Sequence, residues 1–224
     1  MKELKDERGG KPSASKGEDY EACHGKHQME SGLKDTSSAA AEEGNRIHLW
    51  LEDDQAIELS GDELALAKEM ESQRCDVMDF VFPEWRDNPP SIIIKEERLW
   101  YRGNRYSGKA DFVAINGKKA LIVDYKCGRV PVSHARVNGQ MRWNVALLDC
   151  EYDLEYITVA LIQPRCSTPT VFTYDLKGIK KARRRVTDTL RKMEAENPSL
   201  SAGEKQCKYC KAKGFCPELN KKQE

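Results

Sequence analysis

Residues 105–126 read RYSGKADFVAINGKKALIVDYK: two stretches rich in β-branched and aromatic residues, with Asn116-Gly117 between them and charged residues set into apolar runs. Asn-Gly flanked by alternating apolar residues is a strong hairpin signal, so strands are predicted over 105–115 and 118–126. With Ile115 facing Lys118, Asp111 falls opposite Ile122 and diagonal to Asp124. Period-2 alternation then sets Asp111, Asp124 and Lys126 on one face. Ala110, Phe112, Val123 and Tyr125 take the other face, so the polar trio borders a core.

Charges left unpaired at such a border cost several kcal/mol. Two neighbouring carboxylates need a cation between them, or one must hold a proton. A divalent ion satisfies both. Hard oxygen donors suit Mg²⁺ or Mn²⁺, which keep positions open for a phosphate oxygen and an attacking water. Lys126 would then orient or deprotonate that water, or offset charge on the phosphate. A slip of one residue at the turn would turn Asp111 to the other face.

Working outward, Ala40, Gly44, Ile47, His48 and Leu51 recur at helical spacing from Ser37 onward, and a second helix is predicted over about 62–79. Pro89-Pro90 ends that region. Residues 92–94 and 99–101 read as strand, 134–148 as helix, 154–163 and 170–174 as strand. A helix follows with Ile179, Ala182, Val186, Leu190 and Met193 inward. This order predicts an α/β fold with a mixed central sheet flanked by helices. Three parts are expected: a flexible lead-in over 1–35 that is poor in apolar residues and contains Cys23, a core over 36–196, and a cysteine-bearing segment over 197–224.

The chain has 224 residues with 37 basic and 37 acidic side chains, unevenly placed. Residues 177–224 carry 14 basic and 6 acidic residues, net +8, against 23 and 31, net −8, before them. An acidic body suits cation binding and a basic extension suits a polyanion, which makes nucleic acid a plausible partner. No apolar run approaches the roughly 20 residues that span a bilayer, and the first residues are polar and charged. No membrane association and a cytoplasmic location are therefore expected.

Cys207-x2-Cys210-x5-Cys216 is a tight trio that soft metals favour, and three thiolates want a fourth partner. Cys23 is the best candidate. Zinc bound by four cysteines, or by three with His24 or His27, uses similar spacings. Cys75, Cys127, Cys150 and Cys166 lack near partners and read as ordinary thiols.

Gly108-Lys109-Ala110-Asp111, Val123-Asp124-Tyr125-Lys126 and Gln140-Met141-Arg142-Trp143 together resemble the motifs of RecB-type nucleases of the PD-(D/E)xK superfamily, from about Cys23 to Cys216. Ala110 stands where the family name has proline, and Asn144 where its Q-x-x-x-Y pattern has tyrosine. The resemblance implies a restriction-endonuclease-like core. It matches the family's histidine helix to residues 41–48, so that His48 completes the metal site. It gives Gln140 a part in orienting substrate or the lysine. One cysteine before that helix and three at the end resemble iron-sulfur nucleases of the CRISPR-associated, AddB-type and phage recombination kinds. This implies a [4Fe-4S] cluster on Cys23, Cys207, Cys210 and Cys216. Arg102, Arg105, Arg142 and Trp143, near the motifs, are candidate nucleic-acid contacts.

The expected activity is a Mg²⁺- or Mn²⁺-dependent deoxyribonuclease, an exonuclease on free or single-stranded DNA ends in recombination, repair or phage DNA processing. Two alternatives stand beside it. One is a non-catalytic nucleic-acid-binding module built on the helix around Arg183-Arg184-Arg185 and the cysteine cluster. The other is a structural subunit of a helicase-nuclease-like complex.

Overall fold

The computed structural model describes residues 7–33, 38–53 and 57–221. In chain order the elements are α1 (Gly17–Ala22), α2 (Lys26–Met29), α3 (Ala39–Glu52), α4 (Gly61–Val81), β1 (Ile92–Ile94), β2 (Arg98–Trp100), β3 (Ser107–Lys109), β4 (Phe112–Asn116), β5 (Lys119–Tyr125), α5 (Gly139–Glu151), β6 (Tyr156–Ile162), β7 (Thr170–Tyr174), α6 (Leu176–Met193), α7 (Glu204–Lys208) and α8 (Pro217–Asn220). A five-stranded sheet runs in the order β1-β4-β5-β6-β7, and β2 and β3 form a separate ribbon. The β5–β6 pair is parallel and every other pair in the large sheet is antiparallel. The fold is α/β with a mixed central sheet between helices.

β5 is buried on both sides, which its run Ala120-Leu121-Ile122-Val123 requires of a central strand. Even-numbered residues of β5 and odd-numbered residues of β4 pack toward α5 and α6, with Ile115, Ala120 and Ile122 against Val145, Leu148 and Ile179. The opposite face, with Phe112, Leu121, Val123 and Tyr125, packs toward α3 and α4 through Ile47, Leu66 and Met70. Side-chain caps start the four long helices: Ser38 for α3, Ser60 with Glu63 as a capping box for α4, Asn138 for α5 and Asp175 for α6.

Three expectations change. The hairpin pairs Asn116 with Lys119, so the turn residues are Gly117 and Lys118 rather than Asn116 and Gly117. Gly117 takes φ +56°, a conformation open to glycine at little cost. The register thus moves by two residues, which preserves the faces and brings Asp111 level with Asp124 rather than Ile122. The strand predicted over 105–115 is interrupted: β3 ends at Lys109, β4 begins at Phe112, and Asp111 lies in the bend between them. The third change concerns the lead-in. Residues 12–33 are folded, with Ala14 and Tyr20 buried among Tyr106, Trp143 and Leu147. Few residues suffice because they fit closely: a Cβ on Gly139 would come within 2.6 Å of the Glu18 Cα. Residues 1–6 and 34–37, which include Ser37 and the ends of that lead-in, lie outside the described residues. Among the described residues no helix is long and apolar enough to cross a membrane.

Candidate functional site

At the carboxyl end of β5 the sheet presents Asp124, 1% exposed as a residue, with Lys126 just beyond the strand. This end of a parallel strand pair is where open α/β sheets bind ligands. Asp111 and Asp124 come from neighbouring backbones, Lys126 shares the Asp124 face, and Gln140 in the first turn of α5 lies over both. Gln140 Nε2 donates to Asp124 Oδ1, and Lys126 Nζ donates to Gln140 Oε1 at 2.9 Å. Lys126 Nζ also lies 2.7 Å from Asp124 Oδ2, a buried oxygen that receives no aligned hydrogen bond.

Asp111 faces the opposite way round the same strand end. Its Oδ2 accepts from the Tyr125 N–H at 2.6 Å, and its Oδ1 lies 3.3 Å from His48 Nδ1. His48 Nδ1 is also 3.5 Å from Glu96 Oε1. His48, Glu96 and Asp111 each offer one ligand atom within 4.8 Å of the others, and among the described residues no other trio of histidine, cysteine and acidic residues does so. Sequence reasoning missed Glu96. It sits in the link between β1 and β2 at φ +50°, a left-handed conformation rare for a residue with a side chain. Its N–H is held by the Ala110 carbonyl at 3.2 Å, beside Asp111. A strained residue whose carboxylate joins a histidine and an aspartate is the pattern in which functional sites store strain.

The electrostatics follow from crowding. Burial, and after it the Asp124 charge, push the Asp111 carboxyl up to about 6. Burial pulls the His48 imidazole down, but hydrogen bonding to Asp111, Cys127 and Glu96 outweighs it and pushes the ring up to about 12. Burial likewise opposes charge on Lys126, yet Asp124 and Asp111 hold its ammonium above the ordinary range. Burial would raise Glu96, but His48 holds it below the usual carboxylate range. The site therefore gathers acidic groups and answers them with a proton on His48 and the charge of Lys126.

Cys23, Cys207, Cys210 and Cys216, from opposite ends of the chain, line one small cavity with Lys26, Met29 and Leu200. Cys23 Sγ accepts from the Ser201 N–H and Cys207 Sγ from the Gly203 N–H, each at 3.4 Å. Lys26, 2% exposed, donates to Asp19 at 2.5 Å and to the Gln206 carbonyl at 2.8 Å beside them. His24 is bound to Ser199 Oγ at 2.9 Å, and His27 packs on Tyr20 in a different cavity. Of the three residues considered as fourth ligand, Cys23 lines the cavity with the C-terminal cysteines.

The expected nucleic-acid contacts do not gather at the carboxylates. Trp143 is fully buried against Tyr20 and Tyr106, so its ring offers no face to a base. Arg142 is closed on Glu21 by two hydrogen bonds, at 2.9 and 2.7 Å. Arg105 is closed on Glu194 in the same way. Arg102 is exposed beside Cys150, ten residues along α5 from Gln140, or about 15 Å of helix. For Arg142 and Trp143 the physical reason is α1, whose Glu21 covers that surface of α5.

The profile of a family described as "Protein of unknown function (DUF2800)" matches residues 11–224. No curated protein matches. Among solved structures, a protein titled SSO0001 is 18% identical, covering 97% of this chain and 90% of its own, with a TM-score of 0.43. An alkaline exonuclease (LHK-Exo) from Laribacter hongkongensis is 14% identical over 84% of this chain and 90% of its own, TM-score 0.40. A phage related exonuclease from Haemophilus somnus 129PT is 14% identical over 81% and 92%, TM-score 0.35. At these scores none of the likenesses bears on the reading of the site.

Proposed function

We propose that this chain, which belongs to the DUF2800 family of proteins of unknown function, is a metal-dependent nuclease whose site is built on Asp111, Asp124, Lys126, Gln140, His48 and Glu96. The observation that carries the reading is the buried Asp124 at the end of β5, with an oxygen lacking an aligned donor, next to an ammonium and beside the half-buried His48–Glu96–Asp111 trio. That donor set fits a hard divalent ion such as Mg²⁺ or Mn²⁺. When bound, such an ion polarises a phosphate oxygen and lowers the pKa of a bound water.

The chain's own groups do the rest. Lys126 stays protonated between two acids, so its part is to offset charge building on a phosphate rather than to remove a proton. Gln140 fixes the Lys126 and Asp124 rotamers through its amide, which can serve both only in one orientation. Asp124 Oδ2 and the His48–Glu96–Asp111 trio would supply the groups that hold the ion. Asp111 would exchange the proton that His48 now supplies for the charge of the metal.

DNA with free or single-stranded ends is the substrate we assign, with residues 36–196 as the catalytic core. For the terminal cavity we propose an iron-sulfur cluster rather than zinc. Four cysteines around one cavity are a donor set for a soft metal or cluster, and the two N–H groups aimed at sulfur favour thiolates.

The test is incubation of end-labelled DNA with Mn²⁺ and the purified chain. Cleavage that vanishes in both Asp124→Ala and Lys126→Ala supports the reading. Cleavage surviving either substitution, or none by the unaltered chain, overturns it. A visible spectrum with iron and zinc analysis on anaerobically purified protein decides the cofactor.

A further inference from the structure

Residues 127–138 begin and end on the site, between Lys126 and Gln140, and contain no regular secondary structure. At twelve residues the loop stands at the length beyond which structureless loops in a compact fold become uncommon. This one is held tightly from the sheet side. Gln163, 3% exposed at the end of β6, donates to the Gly128 and Val130 carbonyls at 2.9 Å each and accepts from the Val132 N–H at 3.1 Å. The Ala135 N–H donates to Thr170 Oγ1 at 3.1 Å, and Arg165 donates to the Cys127 carbonyl at 2.8 Å.

The loop's backbone is thus satisfied inward while its side chains are sent outward. Val130, Val132 and Val137 are 66%, 37% and 60% exposed. Arg129 and Arg136 are exposed between and beside them. Branched apolar side chains on a fixed backbone lose little entropy when something covers them. Exposed apolar side chains on a fixed loop that begins and ends on a charged site offer a surface for a ligand. What covers it must offer apolar faces and negative charge together, which is the chemistry of an unpaired nucleic-acid strand. In a duplex the base faces are already stacked on one another.

We propose that this loop is a strand lip, with Val130, Val132 and Val137 against the faces of unpaired bases and Arg129 and Arg136 against the phosphates between them. The assignment rests on the nuclease reading of the neighbouring site and predicts a preference of that site for splayed over paired strands.

The test is metal-free binding, by fluorescence anisotropy, of a single strand of about 20 nucleotides and of an abasic strand with the same number of phosphates. The unaltered chain is expected to favour the strand with bases by about 10-fold, or roughly 1.4 kcal/mol, about what covering one valine side chain with an apolar base face supplies. The Val130→Ser/Val132→Ser/Val137→Ser variant should bring the two strands to parity and leave abasic binding unchanged. Arg129→Gln/Arg136→Gln should weaken both strands alike and lower the salt slope by about 1.4. Equal binding of the two strands by the unaltered chain, or discrimination kept by the serine variant, overturns the lip. Cleavage with Mn²⁺ by the same preparation is read separately. Discrimination without cleavage overturns the nuclease reading and leaves the lip standing; cleavage without discrimination does the reverse.

Discussion

The carboxylate site and the cysteine cavity both gather groups that resist being gathered, and they do so by opposite routes. Asp111, Asp124 and Lys126 come from adjacent backbones of a sheet buried on both faces and Gln140 from the helix packed on it, so the packing that orders the core also orders them. The cavity joins Cys23 to Cys207, Cys210 and Cys216 across nearly the whole chain, and α7 and α8, which flank the last three, bury no residue. A site set in a core is held by apolar packing and survives without its ligand. A site made from two chain ends and almost no core is held by whatever the ligands bind.

The largest effect should therefore come from the terminal cavity. Closing a loop of roughly 180 residues costs the unfolded chain about 4–5 kcal/mol, stability that a bound cluster would confer and its loss would remove. Cys210→Ser is expected to give colourless, poorly soluble protein melting about 10–15 °C lower. A brown, stable variant would count against both the ligand assignment and the contrast.

Glu21 shows where the dependence on metal should stop. It lies on α1, close in sequence to Cys23, yet it binds Arg142 and Trp143 of α5 at 2.7 to 3.2 Å and Arg185 of α6 at 2.8 Å. Its side chain is 7% exposed and that of Arg142 is 13% exposed. Breaking one partner of such a pair costs about 3 kcal/mol, so Glu21→Gln should melt about 8 °C lower with metal present or absent. Should chelation of the unaltered chain remove the difference, α1 would belong to the metal-held region rather than to the core.

What could be read in the sequence follows the same division. The hairpin was legible because strand periodicity is local and Asn-Gly is a turn signal. The turn formed one residue later than predicted, and because that shifts the register by two rather than one, the residues within the strands kept their faces; Asp111, in the bend before β4, turns to His48 instead of sharing the Asp124 face. His48 and Gln140 lie on separate helices and were reached through resemblance. Glu96 was not reached at all: in Lys95-Glu96-Glu97 a turn carboxylate has no periodicity to mark it, and only its left-handed backbone singles it out. Trp143 and Arg142 were assigned to substrate because nothing local shows that residues more than a hundred positions earlier fold over them. The lead-in looked flexible by composition, yet one aromatic and a few ion pairs dock it where glycines allow close approach.

Glu96 gives the next prediction, of intermediate size. As a third ligand beside His48 and Asp111 it should set metal affinity without shaping the core, since its partners are those two residues and Lys109. Glu96→Gln is expected to raise the Mn²⁺ concentration for half-maximal cleavage at least about 10-fold, with melting of the metal-free protein little changed. An unaltered Mn²⁺ requirement would leave the trio a hydrogen-bonded charge cluster and place the ion on Asp111 and Asp124 alone.

The smallest effect should come from Arg105, which sequence proximity placed with the substrate. Its guanidinium, from the segment joining β2 to β3, is engaged by both oxygens of Glu194 at the end of α6, at 2.8 and 2.6 Å. A side chain already closed on a carboxylate must break that pair before it can meet a phosphate, and an exposed pair contributes about 0.2–1 kcal/mol in any case. Arg105→Ala should therefore change melting by about 2 °C and leave KM for a single strand within 2-fold. The salt slope of binding carries the sharper comparison, because it falls by about 0.7 for each phosphate of a single strand that the protein no longer neutralises. No change at Arg105, set beside the drop expected at Arg129 and Arg136, would put the strand's path over the loop between Lys126 and Gln140. A drop at Arg105 would draw that path across the ribbon instead.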